Sequence, residues 1–167
     1  INTFSAEMLR EKGAESFTFS VETNIRDMES MTKHTSLKSE ILSHGYVQLM
    51  VMKNCPMSML NNCKNRMNCE KCGYRDSYQL KDRKGVRFNI ERQKKLTYIY
   101  NSVPLTIIGI AQDFADKNID YFLVDTKYLE DKEEVIDALY REINGFKSDY
   151  SLEENKFTRG HYLKNVL

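Results

Sequence analysis

The stretch Cys55–Cys72, CPMSMLNNCKNRMNCEKC, divides the chain and holds all four cysteines among its 167 residues. Their spacing is C-x7-C-x5-C-x2-C, and the closing CEKC is followed by Gly73, as in a metal knuckle. Thiolates are soft ligands, and four on one short loop suit the tetrahedral geometry of zinc or an iron–sulfur cluster. A disulfide framework is less favoured, because nothing else in the chain is typical of a secreted protein. We therefore predict that the metal ligands are Cys55, Cys63, Cys69 and Cys72.

Positive charge is concentrated around these cysteines, although the net charge of the whole chain is only +1. Residues 53–95 carry twelve Lys and Arg against four Asp and Glu. Residues 1–52 carry five against seven, and residues 96–167 carry eight against thirteen. A basic patch of this kind binds nucleic-acid phosphates and also stabilises thiolates or an anionic cluster. The alternative is a solvated, lysine-rich surface loop.

The composition is that of a folded domain. Apolar residues make up 41% of the chain, with ten Tyr and eight Phe, and the length allows one domain with its own core. The sequence contains no run of eighteen apolar residues, the length needed to span a membrane, so we expect no membrane partner. The absence of a signal-peptide pattern predicts that the cysteines lie in a reducing cytoplasm. The start at Ile1 suggests an excerpt from a longer protein.

The segments on either side of the cysteines alternate between strand and helix patterns. Units of about twenty residues per strand and helix suit a parallel sheet or a (β/α) barrel. Ser5 is the expected cap of the first helix, with Gly13 following its end. The predicted strands are residues 1–4, 16–21, 37–42, 46–52, 96–100 and 121–124. The predicted helices are residues 5–12, 24–33, 104–117 and 130–146.

A β-hairpin is predicted after the cysteines. Tyr78–Leu80 and Val86–Ile90 are separated by the turn Asp82-Arg83-Lys84-Gly85, with Gly at a turn position. The predicted organisation is therefore βα units in residues 1–52, the basic cysteine loop and hairpin in 53–95, final βα units in 96–150, and a C-terminal tail in 151–167.

Several segments together resemble peptidase family U32, the collagenase-like proteases. They are SHGY at 43–46, MVMKNCP at 50–56, YQLKDRKGVRF at 78–88, IYNSVPL at 99–105 and TRGHY at 158–162. The resemblance implies the C-terminal part of a TIM-like barrel with the cysteine-rich hairpin module inserted, and a missing N-terminal barrel half as its partner. Many relatives have a further cysteine just before the Tyr-Asn-Ser segment, where this chain has Leu96 and Thr97.

The resemblance implies more than one activity. Peptidase chemistry needs a nucleophile and a base or a metal-bound water, and the best-placed base is His44; a structural histidine is the alternative. No HExxH or GxSxG motif is present. Some relatives are linked to oxygen-independent hydroxylation, of a tRNA uridine or an rRNA cytidine among other substrates. That role goes with a [4Fe-4S] cluster, whereas Zn²⁺ with four thiolates would be a closed, structural site.

An RNA-hydroxylating role would make the basic segment an RNA-binding surface. The expected phosphate contacts are Lys81, Arg83, Lys84 and Arg87. Tyr74 and Tyr78 are candidates for stacking on bases, although packing within the hairpin is the commoner role. Arg159 and His161 in the tail are candidates for contact with an anionic substrate, or for packing back onto the domain.

Overall fold

The computed structural model describes residues 2–60, 63, 72, 78–93 and 95–164 of the chain. The helices are α1 (Thr3–Glu11), α2 (Ile25–Thr32), α3 (Pro56–Leu60), α4 (Ala111–Ala115) and α5 (Lys132–Ile143). The strands are β1 (Ser16–Thr18), β2 (Lys38–Gly45), β3 (Gln48–Met52), β4 (Gln79–Lys81), β5 (Arg87–Gln93), β6 (Leu96–Tyr100), β7 (Leu105–Thr106) and β8 (Tyr121–Val124). The protein is therefore mixed α/β.

The chain divides into two compact units. The α/β unit comprises Ile1–Gly45 together with Val103–Leu167, and the β unit comprises Tyr46–Ser102. The first unit contains the strands that alternate with helices along the chain. The second contains the hairpin and the segment from which the cysteine loop leaves.

The sheet of the α/β unit is built around β2. Strands β1 and β8 both pair with β2 in parallel, and the short β7 pairs antiparallel with the end of β2. A helix follows β1 and another precedes β8, the arrangement that parallel pairing requires. The predicted parallel sheet is confirmed. Its geometry places His44 and Gly45 at the carboxyl end of β2, opposite β7.

Helices of the α/β unit pack their apolar faces into one core. Asn24 caps α2, its side-chain oxygen accepting from the backbone N–H groups of Arg26 and Asp27 at 3.0 Å. Met28 and Met31 follow at helical spacing and are buried. In α5 the buried positions Val135, Ala138 and Leu139 form a stripe at i, i+3 and i+4, which makes the helix amphipathic. The sequence also predicts Ile136 and Tyr140 on the apolar face, but they are 48% and 66% exposed.

The C-terminal tail is part of the α/β unit. Thr158 donates its backbone N–H to the carbonyl of Pro104 at 2.9 Å and accepts from the N–H of Thr106 at 3.0 Å. Tyr162 is fully buried, and its hydroxyl donates to the carbonyl of Leu42 at 2.9 Å. Its ring lies 5.5 Å from that of Phe114, centroid to centroid. These contacts anchor the tail to the sheet and to α4.

The β unit is an antiparallel sheet in the order β3-β6-β5-β4. Strands β4 and β5 form the predicted hairpin, which is confirmed. In its turn, the Asp82 carboxylate accepts from the N–H groups of Lys84 at 2.8 Å and Val86 at 2.9 Å. Gly85 has φ +85°, which glycine adopts without a Cβ penalty. Ile90 lies opposite Ile99 in the small buried layer of this sheet.

Two predicted elements differ from the structure. Helix α1 begins at Thr3 and is capped by Asn2, whose side chain accepts from the N–H of Ser5 at 2.9 Å. Ser5 is therefore inside the helix, and no strand is formed at Thr3 or Phe4. Asn and Ser cap helices about equally well, so the sequence alone did not distinguish them.

The helix predicted over residues 104–117 is confined to α4, Ala111–Ala115. Leu105 and Thr106 instead complete the sheet as β7, held between β2 and the tail at Thr158. Gly109 then has φ +88°, a conformation outside the right-handed helix. The helix can therefore begin only after this glycine.

Candidate functional site

Cys55 lies where β3 passes into α3. Pro56 takes the first position of that helix, where its missing N–H is no loss. The carbonyl of Cys55 accepts from the backbone N–H of Ser58 at 3.1 Å and from its hydroxyl at 2.7 Å. The Cys55 side chain is half-buried, and its Sγ lies 3.9 Å from the hydroxyl oxygen of Tyr78. The thiol is thus fixed between the helix start and the hairpin.

The pKa of the Tyr78 hydroxyl is affected by burial and by two of the cysteines, Cys55 and Cys72. Burial, and then the hydrogen bond with Cys55, raise the pKa of Tyr78 to about 12. Within this shift, Cys55 and Cys72 make smaller contributions that raise the pKa, and Arg92 makes one that lowers it. The hydrogen bond is the contact that fixes this hydroxyl beside a predicted ligand, with the Cys55 Sγ 3.9 Å away.

The structure describes two of the other three predicted ligands, Cys63 and Cys72. Cys63 and Cys72 are exposed, and the Cys63 N–H donates to the carbonyl of Ser58 at 3.0 Å. Cys69 lies outside the described residues. Within the described part of the chain, no three His, Cys, Asp or Glu side chains are gathered closely enough to hold a metal ion. The donor type, free thiols at Cys55 and Cys72, nonetheless fits a soft metal and not a hard one.

A buried hydrogen-bond network holds the two residues that immediately precede Cys55. Arg92 is 5% exposed, and its Nη1 donates to the carbonyl of Lys53 at 2.9 Å and to the hydroxyl of Thr97 at 2.8 Å. Thr97 is fully buried and donates to the carbonyl of Asn54 at 2.7 Å. Strands β5 and β6 thus hold the two residues before Cys55, because Arg92 and Thr97 are partners in the strand register.

The basic hairpin carries the predicted phosphate contacts on its surface. All four side chains are exposed, on β4, in the turn and at the start of β5: Lys81, Arg83, Lys84 and Arg87. Tyr78, just before β4, is half-buried against Cys55, whereas Tyr74 lies outside the described residues. The exposed guanidinium and ammonium groups of the hairpin are suited to contact phosphate oxygens.

His44 is almost completely enclosed. It is 2% exposed, and its Nδ1 lies 2.9 Å from the hydroxyl oxygen of Thr106, itself fully buried. Burial lowers the pKa of His44 below its ordinary value of 6.5, against the attraction of Asp131. The neutral imidazole is therefore favoured. Ser43 is also fully buried, with an Oγ that has no hydrogen-bond partner among the described atoms, and it lies where the register of β2 against β8 shifts.

The two candidates in the tail have different surroundings. Arg159 donates from Nη1 to the carbonyl of Thr106 at 2.7 Å and lies over the ring of Phe157, 4.8 Å from its centroid. Burial lowers the pKa of the Arg159 guanidinium, and the charge of Glu142 acts in the opposite direction. His161 is exposed. Arg159 therefore connects the tail to β7, while His161 is accessible from solvent.

A cavity of about 510 Å³ lies in the α/β unit, between the start of α4 and the end of α5. Its lining includes Gly109, Glu142, Phe146 and Tyr150. The Gly109 N–H donates to a carboxylate oxygen of Glu142 at 2.6 Å across its wall. None of the residues predicted from the sequence as site residues lines this cavity.

Sequence reasoning missed Arg92 and Thr97. One signal for Arg92 was available: in β5 it follows Ile90 by two residues, so both point to the same face of the strand. A charged residue in the apolar phase of a strand indicates a buried charge with a specific partner. Thr97 carried no comparable signal, because threonine is common in exposed strand positions.

Comparison with known proteins gives one positive result. The sequence model of peptidase family U32 matches residues 1–163. Comparisons with curated proteins and with solved structures found no significant match. Among the residues that the structure describes, no helix has the length and apolar character needed to cross a membrane.

Proposed function

The chain belongs to peptidase family U32, and from this premise we propose that its β unit holds a thiolate metal or iron–sulfur centre beside an RNA-binding hairpin. The reaction that this arrangement would serve is oxygen-independent hydroxylation of a base in tRNA or rRNA. One observation carries the proposal: the Cys55 Sγ lies 3.9 Å from the Tyr78 hydroxyl, just before the strand that begins the basic hairpin, and the buried Arg92 and Thr97 hold the two residues before Cys55. A soft-metal donor set and an anion-binding surface are thus combined in one unit.

The residues that would hold the group are Cys55, Cys63, Cys69 and Cys72. A [4Fe-4S] cluster would supply one-electron transfer, whereas Zn²⁺ would stabilise the loop without redox chemistry. The chain itself contributes the positions of the thiolates. Ser58 fixes the Cys55 carbonyl and the N–H of Cys63, and Tyr78 lies against the Cys55 sulfur. The closing CEKC turn would bring the last two ligands together.

The hairpin would hold RNA by its phosphates. Its basic side chains are exposed, and the rigid Asp82 turn presents them from a fixed backbone. Phosphate contacts position an RNA without reading its sequence, so selection of a base would fall to other groups near the centre. Of the tail residues, His161 is exposed and available to an anion, whereas Arg159 is already engaged with the Thr106 carbonyl.

Peptidase activity is the second candidate, favoured by the family to which the chain belongs. Its best-placed base, His44, lies 2.9 Å from the Thr106 hydroxyl, a distance suitable for activating a nucleophile. Both side chains are buried, however, so a peptide bond has no access to the pair. This is why the metal-centre proposal stands first. Turnover of denatured collagen that disappears in His44→Ala, in a variant that remains folded, would reverse the order.

The α/β unit fits the last part of a TIM-like barrel completed by an N-terminal half. Strands β1, β2 and β8 are parallel, as barrel strands are. Tyr121 and Leu123 alternate along β8 and are 50% and 43% exposed. Parallel sheets are normally covered on both faces, so these side chains are suited to contact with further barrel strands.

The cytoplasmic location expected from the sequence remains a prediction.

Metal and sulfide analysis of protein purified without oxygen tests the centre. Iron with acid-labile sulfide, lost in Cys55→Ser, supports the redox proposal. Stoichiometric zinc and a colourless solution would reduce the centre to a structural site. Neither metal in the wild-type protein would show the proposal to be wrong.

The salt dependence of RNA binding tests the hairpin. Each phosphate neutralised contributes about 0.7 to the slope of log K against log salt for single strands. Changing the four hairpin cations to Gln should therefore lower the slope by up to about 3. The matched control removes four exposed lysines of the α/β unit: Lys12, Lys132, Lys147 and Lys164. Equal slopes in the two variants would exclude the hairpin as the RNA-binding surface.

A further inference from the structure

Arg92 is a buried cation whose hydrogen bonds are only partly used. It is 5% exposed, and Nη1 makes two hydrogen bonds, to the Lys53 carbonyl and the Thr97 hydroxyl. Its Nε is buried with no hydrogen-bond partner among the described atoms. A buried donor without a partner destabilises a fold, so such a group in a native protein calls for an explanation, for example a functional role or a bound ion.

The charge of Arg92 also needs a partner. Within residues 2–60, 63, 72, 78–93 and 95–164, no carboxylate forms an ion pair with this guanidinium. Removing a guanidinium from water without a counter-charge is strongly unfavourable, so buried charges are paired or bind a charged group. Its hydrogen bonds place Arg92 next to a predicted ligand: Arg92 donates to the Lys53 carbonyl and Thr97 donates to the Asn54 carbonyl, and Cys55 is the next residue along the chain.

We infer that Arg92 is the positioning residue and counter-charge of the thiolate centre: Nη1 holds the Lys53 carbonyl, two residues before Cys55, and the buried guanidinium supplies positive charge beside the anionic ligands. A metal with four thiolate ligands is a net anion, and a cation fixed beside it lowers its free energy. Thr97 extends the same function, since its hydroxyl connects Arg92 to the Asn54 carbonyl. This inference rests on the proposed metal centre.

The expected effect is on metal affinity. Groups that support metal ligands from behind typically change the affinity by about 10- to 100-fold when they are removed. Arg92→Met removes the charge and the donors while keeping a long apolar side chain. Arg92→Lys keeps the charge and loses the planar fork, so it should retain most of the affinity that Arg92→Met loses. Thr97→Val keeps the side-chain shape and breaks the connection to Asn54.

The matched control is Arg87→Met, which removes the same charge from the exposed start of the same strand. The probe is Co²⁺, titrated without oxygen into the full chain and then displaced by Zn²⁺. The sulfur-to-cobalt charge-transfer absorption reports thiolate ligation directly. Far-UV circular dichroism of each variant without metal establishes that it is folded.

We expect the Co²⁺ dissociation constant to rise by about 10- to 100-fold in Arg92→Met and to stay within about 3-fold of wild type in Arg87→Met and Arg92→Lys. Equal affinities in folded Arg92→Met and Arg87→Met would overturn the inference while leaving the centre in place. If Arg92→Met does not fold, Thr97→Val decides: weaker binding supports the inference, and unchanged binding overturns it. A wild-type chain that binds no Co²⁺ would overturn both the centre and this role of Arg92.

Discussion

Replacing Tyr162 with Ala should destabilise the α/β unit more than any single change elsewhere in the tail. The side chain is fully buried, contacts Phe114 and donates to the Leu42 carbonyl at 2.9 Å. Truncating a buried aromatic residue to Ala costs about 3–5 kcal/mol, since the surroundings relax only partly into the cavity. The hydroxyl accounts for about 1 kcal/mol of this, which Tyr162→Phe measures separately.

Urea and thermal unfolding, both followed by far-UV circular dichroism, are the appropriate assays, because most of the described helical residues lie in the α/β unit. The melting temperature should fall by about 6–20 °C in Tyr162→Ala, at about 2–4 °C per kcal/mol for a chain of this size. His161→Ala is the control: its exposed neighbouring side chain should change the free energy of unfolding by less than about 0.5 kcal/mol. A loss below about 1 kcal/mol in Tyr162→Ala would refute the view that this residue anchors the tail.

Two further predictions concern the carboxyl end of β2. Gly45 has φ +153°, and a Cβ added there would lie 2.8 Å from the Cβ of Asp125, so Gly45→Ala should lower the free energy of unfolding by about 2–5 kcal/mol. The control is Gly13→Ala, which should lose only about 1 kcal/mol, because φ is also positive there but no atom lies within 4 Å of the added Cβ. Equal losses of the two variants in urea titrations would contradict the steric explanation. The pKa of His44 in the folded chain lies below the unfolded value of 6.5, so the unfolded chain binds the proton more readily. The stability that the neutral imidazole contributes is therefore fully present above pH 6.5 and is lost as the pH falls below this value. Urea titrations from pH 8 down to about 5 should show this loss in wild type and a smaller one in His44→Gln, and parallel curves would exclude His44 as its source.

The sequence was most informative where local chemistry decides the outcome. The Asp82–Gly85 turn specified its hairpin, because the Asp side chain and a glycine at positive φ are sufficient for the turn whatever surrounds it. The apolar periodicity of α5 likewise predicted an amphipathic helix with Val135 and Leu139 on its buried face, whereas Ile136 and Tyr140, expected on the same face, are 48% and 66% exposed. Family membership followed from short segments spread over most of the chain, and the family match over residues 1–163 confirms it. The four-cysteine spacing by itself predicts a metal centre, which stays a prediction.

Other features were decided only by tertiary structure. Leu105 and Thr106 have a sequence compatible with helix, yet they pair with β2 and with the tail, because backbone groups at the end of a buried strand must find partners. Strand β3 is an apolar run in the sequence, but Leu49, Met50 and Val51 are 45–55% exposed on this edge strand of the antiparallel sheet.

The sequence by itself determined the residue types of the candidate site: soft thiol ligands, a surrounding excess of positive charge, and one histidine at the end of a strand. The tertiary structure decided their surroundings. It enclosed His44 against Thr106, joined Arg159 to the sheet, and placed Arg92 and Thr97 behind Cys55. The physical reason is that burial and charge pairing depend on residues far apart in the chain, which no local pattern specifies.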